Sequence, residues 1–408
     1  MKTSSKKVEI PRVALLIETS RSYGRELLVG IAQYVRSHGP WSIEFQEGDP
    51  TEQLPDWFKS WRGDGIIARV KTEEMANSIL KKNLPTVDLY CELPHSKMAS
   101  LRSDEALVGR LAAQHLLERG FQHFAFSGFN GVEWSNRRGH GFRQCIAEAG
   151  YPCHTFENPR PPALIAPVEY EEHGLKYEHQ LAHWITALPK PIGLMACNDA
   201  RARQILKACR DLGIAVPDKL AVIGVDKDEV LSELSDLPVS SVILNTQRIG
   251  FEAAALLHRM IKGEHPSKET ILIEPRGVAT NRSTDTLSVQ DANLAKAILF
   301  IRDHACEPIS VESVASFAGL SRSMLQRKFR ATFKQSVHEA IINGRLKRAS
   351  DLLVGTNISM IDVAEKSGFK HCEYMAVVFK TYIGKTPSQY RKEGRISNLN
   401  YVSTLNRI

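Results

Sequence analysis

Gly193-Leu-Met-Ala-Cys-Asn-Asp-Ala-Arg-Ala-Arg-Gln-Ile-Leu-Lys-Ala-Cys-Arg-Asp-Leu-Gly-Ile-Ala-Val-Pro-Asp-Lys-Leu-Ala-Val-Ile-Gly-Val-Asp226 starts and ends on short apolar runs, Gly193 to Ala196 and Leu220 to Val225. Between them, Ala200 to Leu212 has the composition of a helix. Apolar runs this short, bounded by turn residues, predict buried strands, and a helix joining two of them predicts a parallel βαβ unit. The same alternation extends outward in both directions. Further runs lie at Val13 to Ile17, Ile43 to Phe45, Gly65 to Ala68, Thr86 to Leu89 and His123 to Phe126, with helical segments at Tyr23 to Ser37, Asp104 to Arg119, Arg138 to Ala149 and Tyr170 to Leu188. This pattern predicts an α/β domain with parallel sheets covered by helices.

The chain has 408 residues, enough for two or three folded units, and 43% of them are hydrophobic, enough for each unit to have a core. Charge is unevenly placed. From Leu287 onward there are 18 basic and 10 acidic residues, so the net charge of +7 lies wholly in the last third. A compact basic segment beside a near-neutral one predicts a polyanionic partner for the former. Seven cysteines, an odd number without a C-x-x-C pair, point to reduced thiols and away from a zinc knuckle or a disulfide framework. Val13 to Ile17 is too short for a signal segment and ends at Glu18, and no run approaches the ~20 apolar residues of a membrane span, so a cytoplasmic protein is expected.

Open parallel sheets bind ligands beyond the carboxyl ends of their strands. Polar residues cluster at the strand tips here: Glu18 to Ser20, Asp64, Asp88, Ser127, Asn198 with Asp199, and Asp226. Carboxylates and amides hold hydroxyls in pairs, Arg forks onto vicinal oxygens, and an aromatic face covers the apolar side of a sugar ring. Asp199, Asp226, Asn198, Arg138 and Trp134 supply that set, although for Asp199 taken alone a helix cap is the stronger reading. The run from Cys197 to Asp226, with Arg138-x-x-Gly-Phe142, Val239-Ser-Ser-Val242, Gly250, Ala253 to Ala255 and Arg282-Ser-Thr, resembles the LacI/GalR effector domain over residues 11–284. The resemblance implies two Rossmann-like lobes of the type I periplasmic-binding-protein kind, joined by crossover strands, with a small sugar between them. It also implies Asp104, Arg138, Asn198 and Asp226 as effector ligands. Trp134 and Asp199 join them from their chemistry, and Ser20 and Tyr23 from the first strand's exit loop. LacI-type repressors carry their DNA-binding helices ahead of this domain, yet only about ten residues precede the first strand here, against the ~20 of a helix-turn-helix.

From residue 285 to 395 the pattern is helical throughout, with 396–408 as a tail. Helices are predicted at Leu294 to His304, Ser310 to Phe317, Ser321 to Phe333 with Ser321 as N-cap, His338 to Val354, Ser359 to Ser367, and His371 to Tyr382. Two helix, glycine turn, helix units centred on Gly319 and Gly368 repeat about fifty residues apart. In such units the second helix enters the major groove. The first offers Ser321, Arg322, Ser323, Gln326, Arg327, Lys328 and Arg330, with Met324, Leu325 and Phe329 facing the core. The second offers Lys370, His371, Glu373, Tyr374 and Lys380, with Val378 and Phe379 inward. A linking helix of about 17 residues, roughly 25 Å long, suits two readers spaced one duplex turn apart. The run Ile309 to Arg330, with Arg345-Leu-x-x-Ala349, Ile358 to Ala364, Gly368-Phe, Val378-Phe-Lys and Gly384-Lys-Thr-Pro-x-x-Tyr-Arg391, resembles the AraC/XylS family of transcription regulators. It departs at Lys334, where a glycine is usual, and at Met375, where Phe is common.

An α/β sensor followed by an all-α domain with two helix-turn-helix units resembles the xylose-responsive members of that family. So do Trp134-x-x-x-Arg138, Asp199-Ala-Arg-Ala-Arg, Arg282-Ser-Thr-Asp and Ile301-Arg-Asp-His-Ala-Cys306. The resemblance implies an activator of xylose catabolic genes induced by D-xylose, a homodimer on promoter DNA, and contact with RNA polymerase. A repressor answering to another pentose or aldose fits the same residues. An enzyme does not fit: the chain has no phosphate loop, no G-x-G-x-x-G after the first strand and no G-x-S-x-G, and His179-Gln-Leu-Ala-His183 lacks the zincin glutamate. A glycosidase built on the cleft carboxylates remains the remote alternative. No cofactor and no metal are expected.

Overall fold

The computed structural model describes residues 10–48, 54–92, 98–156, 176–228, 230, 237–265, 269–286 and 291–398, the last six by backbone alone. They form two compact units, one within residues 1–285 and one from 286 onward, to which 116–122 also belong.

The first lobe of the first unit runs β1 (Arg12–Leu16), α1 (Ser22–His38), β2 (Ser42–Phe45), α2 (Asp56–Ser60), β3 (Gly65–Ala68), α3 (Glu73–Leu80), β4 (Thr86–Asp88) and β5 (Ala99–Ser103). The second continues with α4 (Glu105–Leu117), β6 (Phe124–Ser127), α5 (Glu133–Glu148), β7 (Cys153–Phe156), α6 (Glu178–Ala187), β8 (Ile192–Ala196), α7 (Asp199–Asp211), β9 (Leu220–Val225) and β10 (Ser240–Ile243). The chain then returns to the first lobe for α8 (Thr246–Ile261) and β11 (Ile271–Ile273). It ends in the second with β12 (Gly277–Ala279) and a 3₁₀ turn at Arg282–Thr284. The sheet orders are β11-β5-β4-β3-β1-β2 and β12-β10-β9-β8-β6-β7, and every pairing is parallel except β10 with β12.

Both faces are covered at the sheet centres, where β3, β6, β8 and β9 are buried throughout, but the edge strand β2 is exposed at every residue, so the run Ile43 to Phe45 is not the buried strand its composition predicts. α1 and α8 pack on one face of the first sheet, Leu27 and Ile31 meeting Ile249, Ala253 and Leu257. They approach so closely that a Cβ on Gly30 would fall 1.9 Å from the Gln247 carbonyl oxygen, and one on Gly250 would fall 2.1 Å from that of Leu27. Only glycine permits that crossing. The expected helix from Arg138 in fact begins at Glu133, which puts Trp134 and Arg138 on one helix a turn apart. Of the expected helix Tyr170 to Leu188, the described part is α6, and residues 157–175 lie outside the described set.

The second unit contains α9 (Ala292–His304), α10 (Val311–Phe317), α11 (Arg322–Phe333), α12 (Val337–Gly355), α13 (Met360–Lys366), α14 (Cys372–Ile383) and α15 (Pro387–Asn398). It has two cores sharing one helix. Val337, Ala340 and Ile341 of α12 join Leu325, Phe329 and Phe333 of α11, while Ile342, Leu346, Ala349, Leu352 and Leu353 join Met375, Val378 and Phe379 of α14. Serine caps with reciprocal side-chain bonds start α10, α12 and α13 at Ser310, Ser336 and Ser359. α15 was not expected and runs past residue 395. Its start is a capping box in which Thr386 Oγ1 accepts from the Gln389 amide while Gln389 Oε1 accepts from that of Thr386, with Pro387 as the first helical residue.

Candidate functional site

A cavity of about 320 Å³ opens between the carboxyl ends of the two sheets of the first unit. From the first lobe it is lined by Glu18, Ser20, Tyr23, Arg69 and Tyr90, and from the second by Trp134, Arg138, Asn198, Asp199, Arg203 and Asp226, with Glu105 at the crossover. Arg138 lines it and is 4% exposed. Its Nε donates to Glu105 Oε2 at 2.5 Å and its Nη1 to the Cys197 carbonyl at 2.7 Å, with Asp226 Oδ1 3.8 Å away. Burial opposes its charge, but Glu105 and Asp226 outweigh burial and raise the guanidinium further above its usual range. The same cation lies 4.7 Å from the centroid of the Trp134 ring.

On the opposite wall, Arg69 pairs with the fully buried Glu18 and lies between the Tyr23 and Tyr90 rings, 4.8 and 5.0 Å from their centroids. Burial and then Glu105 push the Tyr23 phenol well up, so it stays a neutral donor. Asn198 caps α7 through the Arg201 amide at 2.9 Å. Asp199 follows as the first helical residue: its Oδ1 accepts from Ser241 Oγ at 2.9 Å and its Oδ2 from the Asp228 amide at 3.2 Å. Burial, then the neighbouring Asp226, push its carboxyl up to about 7. Asp226 leaves β9 at φ 105°, a conformation that favours glycine, and such strain is typical of ligand clamps.

The structure therefore gathers Ser20, Tyr23, Trp134, Arg138, Asn198, Asp199 and Asp226 around one cavity. Asp104 is not among them. Its Oδ1 accepts from the Leu107 amide at 3.0 Å and starts α4, and the next residue, Glu105, faces the cleft instead. Two other strand-tip acids are also structural: Asp64 accepts from the Arg12 amide, and Asp88 gathers the amides of Val70, Tyr90 and Cys91. Arg69, Tyr90, Glu105 and Arg203 also line the cavity, and the sequence pattern singles out none of them. The first two leave β3 and β4 at their carboxyl ends, and the strand-exit rule applied there finds them. Within Asp199-Ala-Arg-Ala-Arg, Arg203 lines the cavity, whereas Arg201 is fully buried, stacked 4.5 Å from the Phe129 ring. Alternating donors, acceptors and aromatic faces suit a small polyol. Among the described residues, no group of three or more His, Cys, Asp or Glu is placed to hold a metal ion.

In the second unit Ser321 caps α11 through the Met324 amide at 3.3 Å, after a turn at Gly319 with φ 66°. Ser321, Arg322, Ser323, Gln326, Arg327 and Arg330 are exposed, while Leu325 and Phe329 are fully buried. Met324 departs from expectation: at 40% exposure it lies beside the polar face, because one residue's rotation from Leu325 carries it out of the core. Lys328 reaches Asp291 at 2.5 Å and Arg322 reaches Glu312 at 2.6 Å. Lys370, His371, Glu373, Tyr374 and Lys380 are likewise exposed on and beside α14, over buried Met375, Val378 and Phe379. Lys334 ends α11 in the left-handed conformation at φ 56°, matching Gly384 at φ 77° after α14. The turn geometry of the missing glycine is thus kept with a lysine.

Three family models match the chain: a XylR N-terminal domain over residues 12–97, a periplasmic binding protein-like domain over 113–284 and a helix-turn-helix domain over 314–393. The xylose operon regulatory protein of Escherichia coli K12 is 32% identical over 388 residues, covering 93% of this chain and 96% of that protein. Its counterpart in Haemophilus influenzae is 32% identical over 393 residues, covering 93% and 98%. A solved structure described as a xylose-binding transcription activator, xylR, aligns with a TM-score of 0.58 and 31% identity over 94% of this chain and 98% of that one. No helix among the described residues is long and apolar enough to cross a membrane. With sensor lobes and tandem readers in the same order over almost the whole length, the chain belongs to the family of xylose operon regulatory proteins, sugar-responsive transcription regulators with an AraC-type DNA-binding domain.

Proposed function

We propose that this chain activates transcription of xylose catabolic genes in the cytoplasm when D-xylose occupies the cleft, acting on promoter DNA as a homodimer that contacts RNA polymerase. The observation that carries the reading is the pairing in one chain of a polar cavity, lined by Arg138, Glu105, Asp199 and Asp226, and two helix-turn-helix units with exposed second helices. The sugar is bound as a signal and leaves unchanged. Its closure of the lobes shifts the population of states, and coupling of about 1–3 kcal/mol changes operator affinity about 5 to 150-fold.

A thermal-shift panel of D-xylose, L-arabinose, D-ribose and D-glucose tests the effector, since a ligand at a hundred times its Kd stabilises the protein by about 2.7 kcal/mol. A shift specific to D-xylose supports the reading; a shift with another sugar alone reassigns the inducer. In a deletion strain an activator's loss lowers inducible reporter output, whereas a raised basal level makes the protein a repressor.

A further inference from the structure

The two reader helices superimpose by their end signals. Ser321 and His371 occupy the N-cap positions, and Lys334 and Gly384 the left-handed caps, so positions fifty apart correspond. On α14, measured from Glu373 at 100° per residue, Lys380 lies at about −20°, Val377 at about 40°, Thr381 at about 80° and Tyr374 at about 100°. Val377 therefore lies on the exposed face between Lys380 and Tyr374, and it is 64% exposed although its neighbours Val378 and Phe379 are buried. Its counterpart on α11 is Arg327, also exposed. Neither helix propensity nor core packing accounts for a valine there, since β-branched residues are poor helix formers and this one covers little of the protein. Lys370 and Lys380 flank it with charge suited to phosphates, while Glu373, on the same face, suits a base amino group and not the backbone.

We propose that Val377 is a specificity-determining residue that contacts the 5-methyl group of a thymine in the major groove, so that the second reader selects a T·A pair at the position where the first, through Arg327, engages guanine or phosphate. Thymine is the base that offers an apolar group in that groove. The two readers then demand different bases, and the operator half-site has a direction. The inference rests on the DNA-binding reading above.

The test uses the full-length protein and a duplex selected by it from a random-sequence pool, with each thymine replaced in turn by deoxyuridine, which lacks only the methyl. Wild type is expected to lose about fourfold in affinity at one thymine, the equivalent of ~0.8 kcal/mol for one methyl-sized group at 1.4 kcal/mol per tenfold. Val377→Ala is expected to lose a similar factor on the thymine duplex and to be indifferent to deoxyuridine at that position, with its melting temperature unchanged. Wild-type indifference to every deoxyuridine, or penalties for the variant and the base that simply multiply, overturns the assignment while leaving DNA binding intact. Failure to select any duplex removes the underlying reading as well, and is a distinct result.

Discussion

Replacing Arg138 by methionine separates what this residue does for the fold from what it does for the ligand. The guanidinium is buried against Glu105, which is itself 5% exposed, and donates to the Cys197 carbonyl. Methionine keeps much of the volume but leaves a buried carboxylate without its cation. Breaking a buried pair from one side costs about 3–5 kcal/mol. At about 2–4 °C per kcal/mol for a domain of this size, the melting temperature falls by about 10 °C. Adding Glu105→Gln removes the stranded charge, so the double variant Arg138→Met, Glu105→Gln is expected to regain most of that loss, as coupled neighbours do. It is not expected to regain sugar binding, because the Arg138 donors are gone from the cavity wall. Calorimetric unfolding of the single and double variants, beside titration calorimetry with D-xylose, reads both quantities. A single variant as stable as wild type refutes the buried-pair account, and a double variant with wild-type xylose affinity refutes the role of Arg138 in the cleft.

Asp199→Asn should flatten the dependence of stability on pH. An acid whose folded pKa, about 7, exceeds its unfolded value near 4 stabilises the fold fully below about pH 4 and loses that contribution as pH rises to 7, at up to ~1.4 kcal/mol per pH unit. Urea titrations at pH 5, 6 and 7 check the sign, and a wild-type profile that rises over this window contradicts the buried-acid geometry. Lys334→Gly is expected to stabilise the second unit by roughly 0.5–1 kcal/mol, because relief of a left-handed lysine, about 1–2 kcal/mol, exceeds the freedom glycine gains on unfolding; thermal unfolding measures it. Gln326→Ala should cost about 1–3 kcal/mol of operator affinity for a lost bidentate base contact and relax selection at one base pair in a footprint. Log affinity should fall against log salt with a slope of about −0.9 per neutralised phosphate, and a flat titration contradicts a phosphate-dominated interface.

The α/β unit is legible because its central strands are buried on both faces. Leu220–Val225 and Gly65–Ala68 are read to the residue, since their shortness and flanking turn residues separate them from buried helix segments such as Ala297 to Ile301 in α9. β11 is not legible in this way: Ile271–Ile273 is a three-residue edge strand with two exposed side chains, and it joins β5 only through long-range pairing. The readers are legible only in part through their caps. Ser321 is legible as a cap and is one, whereas Ser310, Ser336 and Ser359, and Thr386 with Gln389, start their helices by local side-chain bonds that the apolar pattern alone does not single out.

The cleft is legible to the strand tip and no further, for a reason of angle. Successive residues at a helix start point about 100° apart, so the choice between Asp104 and Glu105, or between Arg201 and Arg203, is decided by where the first turn begins. Composition does not record that start. Asp104 looks like a ligand and caps α4; Glu105 looks like an ordinary first-turn acid and meets Arg138 at 2.5 Å. Arg138 is subject to the same effect: the pattern starts its helix at Arg138 itself, whereas α5 starts at Glu133 and so brings Trp134 one turn ahead, 4.7 Å from the guanidinium. A residue's chemistry thus nominates it for the site, but its distance from the nearest helix end decides how far sequence can place it. By the same rule Val377, five residues inside α14, has its facing set by the helix period, so the direction it points is better determined than that of His371 at the cap.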